Sequence, residues 1–160
     1  IIHNSFSDNF DSADIQFDSL VKELTDHIHT EFFDHLVDST YRINTSPVEL
    51  NINLAIPTCL IITEIFINAD LQENKNVTSP LFELTLNQKS NEITVEISDI
   101  GNKLLRKDAV ENPNCLSFTI IDSLLSKINS SLSIQFTENE HRVSFSFKKE
   151  DIRGPGSSIV

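Results

Sequence analysis

Ile56-Pro-Thr-Cys-Leu-Ile-Ile-Thr-Glu-Ile-Phe-Ile-Asn-Ala-Asp70 is an apolar run that carries an acid, Glu64, and an amide, Asn68, one helical turn apart. Residues at i and i+4 share a helix face. Polar groups placed in a core cost free energy unless hydrogen bonds satisfy them. An acid and an amide on one face of an otherwise apolar helix are either a capped or water-satisfied polar pair of a core helix or part of a site. The helix is expected over about residues 55–72, with Pro57 in its first turn, where a missing N–H costs little.

The pattern on either side is legible by period. Phe17, Leu20, Val21, Leu24 and Ile28 follow a helical repeat, with Asp14 or Ser12 as candidate cap. Tyr41 and Ile43 alternate with polar neighbours and predict a short strand, broken at Thr45-Ser-Pro47. Val48, Leu50 and Ile52 alternate again, as a second short strand or an extended lead into the helix. Beyond the helix the period changes to two. Phe82, Leu84 and Leu86, then Ile93, Val95 and Ile97, predict an antiparallel hairpin turning at Gln88 to Asn91. A polar loop over 102–114 leads to an amphipathic helix marked by Leu116, Ile120, Leu124 and Ile128, with Ile121 and Leu125 beside them. Leu132, Ile134 and Phe136, then Val143, Phe145 and Phe147, predict a closing hairpin. Helix, strand, helix, hairpin, helix, hairpin is the order of an α+β two-layer sandwich, in which helices cover one face of the sheet.

Composition narrows the function. The 160 residues fit one domain with room for a short appendage, and 39% hydrophobic content supports a real core. A formal net charge of −12 argues against nucleic-acid or anionic-membrane binding, which needs clustered Lys and Arg. It leaves room for a small nucleotide pocket. No apolar run approaches the roughly 18 residues of a membrane span, so no direct membrane insertion is expected. Cys59 and Cys115 sit among apolar residues without metal-ligand spacing and read as buried thiols of a reduced, cytoplasmic setting. The absence of methionine and the Ile1-Ile2 start suggest a piece of something longer. His3, His27, His29 and His35 read as ordinary surface residues, as exposed helical histidines usually are.

Three features can converge: Glu64 and Asn68 on one helix face, Asp99 and Gly101 beyond a strand end, and the N–H groups opening the helix near Leu116. A carboxylate can accept from an adenine amino group, and an amide oxygen can hold Mg2+. In these residues the chain resembles the ATP-binding domain of two-component sensor histidine kinases, in the superfamily shared with gyrase, the Hsp90 chaperones and MutL. Ile56 to Ala69 resembles that family's Asn-box helix. Val95-Glu-Ile-Ser-Asp-Ile-Gly101 resembles its adenine-binding strand and turn. Leu116 to Ile134 resembles its second glycine box, helix and following strand, and His141 to Phe147 its closing strand.

The resemblance implies a histidine-kinase-like sandwich with a mixed, mostly antiparallel sheet. It implies Glu64 as the catalytic acid, Asn68 as Mg2+ ligand, and Asn68, Asp99 and Gly101 as cofactor-binding residues. ATP and Mg2+ are the implied cofactors of a functional site, and none of a lost one. Residues 1–16 would end a helical dimerisation segment and connector, 17–150 would form the ATPase-like domain, and 151–160 a flexible tail. A response-regulator receiver domain or a histidine-phosphotransfer helix is the implied partner, with homodimerisation through helices upstream.

The chain departs from the pattern where phosphates should bind. Lys103 replaces the second glycine of the Asp-x-Gly-x-Gly turn, Ser117 stands at a glycine of the second box, and Thr63 replaces the Asn before the box acid. Of three glycines in the chain, only Gly101 precedes the tail. Glycine lets backbone approach a ligand closely. The reading is thus a degenerate domain, a pseudokinase with weak or no ATP binding and a phosphotransfer or docking role. An active histidine kinase or phosphotransferase, and a non-catalytic interaction module, remain open beside it.

Overall fold

The structure, a computed structural model, describes residues 14–33, 41–67, 82–100, 116–138 and 140–149. Along these residues run β1 (Asp14–Gln16), α1 (Phe17–Ile28), a π-helical turn (His29–Phe33), β2 (Tyr41–Thr45), β3 (Glu49–Asn51) and α2 (Ile52–Ile67). They are followed by β4 (Phe82–Lys89), β5 (Glu92–Ile100), α3 (Leu116–Lys127), β6 (Ser133–Phe136) and β7 (Glu140–Lys148).

Alternation builds the main sheet. Strand order is β2-β4-β5-β7-β6, with β2 parallel to β4 and every other pair antiparallel. Because side chains alternate between faces, Phe82, Leu84, Leu86, Ile93, Val95, Ile97, Val143, Phe145 and Phe147 all fall on one face, and all are buried. They pack with Phe17, Val21 and Ile28 of α1, with Ile61, Ile62, Ile65 and Phe66 of α2, and with Ile121 and Leu125 of α3 in a single core. The opposite face is polar and self-paired: Arg42 reaches Glu83 at 3.2 Å, and Thr94 shares a 2.8 Å hydrogen bond with Ser146. The fold is the expected α+β sandwich, with a mixed, mostly antiparallel sheet covered by helices on one face.

Local chemistry sets the ends of the elements. The β4–β5 hairpin turns through Ser90 and Asn91 between paired Lys89 and Glu92, with Ser90 at φ 56°, a conformation glycine adopts more cheaply. After α3, Asn129 takes φ 51°. Its N–H donates to the Ser126 carbonyl at 3.2 Å, and that of Ser130 to the Leu125 carbonyl at 2.9 Å. This is the left-handed, double-bonded termination by which helices commonly stop.

Two expectations about helix starts are corrected. Asp14 does not cap α1: it lies in β1, opposite Asn51 of β3. Ser12, the other candidate, lies outside the described residues. The Phe17 N–H instead donates to the Val48 carbonyl at 2.8 Å, and the Asp18 carboxylate accepts from the Val48 N–H at 3.2 Å. Main chain thus does the work expected of a side-chain cap. Likewise α2 begins at Ile52 rather than near 55, because the Asn51 side-chain oxygen accepts from the Asn53 N–H at 2.9 Å and caps it there. Pro57 is therefore inside the helix, not in its first turn. It has no N–H to give the Asn53 carbonyl. Residues 68–72 of the expected helix lie outside the described residues. So do residues 1–13 of the expected connector, whose last three residues form β1, and the whole of the tail.

An aromatic ladder ties α1 to the sheet edge. Tyr41 stacks on Phe82 at 5.5 Å between ring centroids, packs on His29 at 4.8 Å, and donates its hydroxyl to Asp26. The hydrogen bond to Asp26, then burial, then the Asp26 charge push the Tyr41 hydroxyl up to about 12 from 10.0. Tyr41 is the only tyrosine, and the chain lacks tryptophan. Its ultraviolet absorbance therefore titrates one group. The folded protein should show a midpoint near 12, and Asp26→Asn should return it toward 10.0. A raised folded-state value means the stabilisation is complete below the unfolded midpoint. It is lost as pH rises from about 10 through about 12. Resistance to urea should fall across that window, and fall less in Asp26→Asn.

Candidate functional site

Counting by two along β5 from Ile93, Val95 and Ile97 reaches Asp99. The carboxylate therefore continues the inward, apolar face, and Asp99 is only 1% exposed. Counting back along β7 from Phe147, Phe145 and Val143 reaches His141. The register sets Asp99 opposite His141 and His141 opposite Phe136 of β6. A carboxylate, an imidazole and a phenyl ring thus form one row across three strands, beneath the helical layer.

A buried carboxylate demands hydrogen bonds or a counter-charge. Here the opposite strand supplies the groups. Asp99 Oδ1 accepts from the His141 backbone N–H at 3.2 Å, and Oδ2 lies 3.9 Å from His141 Nδ1. The His141 ring meets Phe136 edge to face, with centroids 4.8 Å apart and planes at 85°. Such aromatic edge contacts contribute about 0.5–1.5 kcal/mol beyond area, so the imidazole is held between the phenyl ring and the carboxylate. Among the described residues every buried side-chain nitrogen and oxygen has a hydrogen-bond partner.

The neighbouring cation is turned away from this row. Arg142 lies on the polar face, donating to Glu140 at 2.7 Å and standing 3.6 Å from Glu96. The Glu140 hydrogen bond and the Glu96 charge raise its already high pKa. Its charge is committed to carboxylates there.

Glu64 is half-buried on α2. Along its side of the helix Ile56, Leu60 and Ile67 are each about half exposed. Thr63, just before the acid, donates its hydroxyl back to the Cys59 carbonyl at 2.9 Å, so the helix itself occupies that group. Burial pushes the Cys59 thiol up to about 11, which keeps it protonated and unreactive near neutral pH. Asn68 and Gly101, the expected Mg2+ ligand and turn glycine, lie outside the described residues, as does Cys115. Of the four residues expected at the site, the structure therefore places Glu64 and Asp99.

Among the described residues no group of three or more His, Cys, Asp and Glu could hold a metal ion. None of the described helices is long and apolar enough to cross a membrane. A shallow recess of about 400 Å³ lies between β2 and β4, lined by Ile43 to Ser46 and Thr85 to Asn87. The register puts it toward the opposite end of the strands from Asp99. His141 and Phe136 are what the sequence reading missed. The signal was the same two-residue count that identified the core face, carried one step further along each strand.

Neither protein-family models nor curated protein sequences match the chain. Solved structures do. The histidine kinase domain of a blue-light activated histidine kinase from Erythrobacter litoralis superposes with TM-score 0.71 at 15% identity, over 87% of this chain and 64% of that one. The histidine kinase AdeS of Acinetobacter baumannii gives TM-score 0.61 at 9% identity, over 87% and 68%. The catalytic domain of histidine kinase ThkA gives 0.60 at 11%, over 86% and 96%. The chain spans less than two thirds of the Erythrobacter domain, and 42% of the longer chain of that kinase. The fold is that of histidine kinase catalytic domains.

Removing the Asp99 carboxylate withdraws its hydrogen bond from the His141 N–H. Asp99→Ala should lower stability by about 1–3 kcal/mol in urea unfolding, and Asp99→Asn, whose amide oxygen can still accept, by clearly less. Equal losses in the two variants would contradict the pairing.

Proposed function

We propose that this chain, folded as a histidine kinase catalytic domain, is an ATPase-like domain of two-component or phosphorelay signalling with weak or no ATP binding, acting in phosphotransfer or docking. The observation that carries the reading is the Asp99 carboxylate. It stands where the resemblance expects adenine recognition, and β7 already engages it through the His141 N–H. The scarcity of glycine supports the same reading, since Gly101 is the only glycine before the tail. Phosphoryl transfer depends on positioning and charge neutralisation, so poor phosphate contacts damage it severely.

The remaining roles follow from the resemblance. Asn68 would hold Mg2+, which when bound neutralises phosphate charge. Glu64 would polarise an attacking acceptor supplied from elsewhere. The partner would be a receiver domain or a phosphotransfer helix in the cytoplasm, with dimerisation through helices upstream. The competing reading, an active kinase, keeps some support because Glu64 and Asp99 are both retained.

Calorimetric titration with Mg-ATP separates the two. The degenerate reading expects a dissociation constant of about 1 mM or weaker, which corresponds to only about 4 kcal/mol of binding. Micromolar binding that Asp99→Asn abolishes would establish the active reading instead.

A further inference from the structure

We draw no further inference here: the strongest candidate, the surface stripe of half-exposed Ile56, Leu60 and Ile67 along α2, is an apolar face for which nothing in the structure shows what covers it.

Discussion

The pairing of β5 with β7 is the constraint on which the rest depends. The two strands stay in register from Glu92 opposite Lys148 to Ile100 opposite Glu140. A slip of one residue would turn Val143, Phe145 and Phe147 out of the core, so burial holds the register firmly. The same register then determines what happens at the far end, where hydrophobic residues give way to Asp99 and His141. Neither residue can leave the inward face without moving the core behind it. The meeting of acid and imidazole is thus a consequence of hydrophobic alternation several residues away.

The helical layer depends on that sheet in turn. Phe66 of α2 packs on Phe82 of β4 at 4.5 Å, and Tyr41 continues the stack to the edge strand. Buried threonines let the helices sit close without orphaned hydroxyls: Thr25 and Thr58 each donate to a carbonyl one turn back at 2.7 Å. With its hydroxyls satisfied internally, the layer carries Glu64 on α2 as a half-buried acid. In the active-kinase reading that acid would serve the acceptor. In the degenerate reading it is a retained feature of a surface whose base-binding end is occupied by the chain.

How much was legible in the sequence depended on the range of the interaction. The β4–β5 and β6–β7 hairpins, α1 and α3 were readable because local periodicity and burial agree there. The start of α2 was not, because the Asn51 cap competes with the stronger visual signal of Pro57. Of the β1–β3 pair, β3 showed in the alternation of Val48, Leu50 and Ile52, while β1 did not, because a three-residue strand carries too little pattern and is held by a partner about 35 residues away. Of the candidate site residues, Glu64 and Asp99 lie in elements that the sequence makes recognisable. His141 escaped because its meaning lies in the register with Asp99, 42 positions apart, and no local window contains both.

A double-mutant cycle across Asp99 and His141 tests the central claim most directly. Urea unfolding of the wild-type chain, Asp99→Ala, His141→Ala and the double variant measures how far the two side chains depend on each other. The account predicts losses that do not add, with an interaction energy of at least about 0.5 kcal/mol. Losses that simply add would contradict the pairing of acid and imidazole.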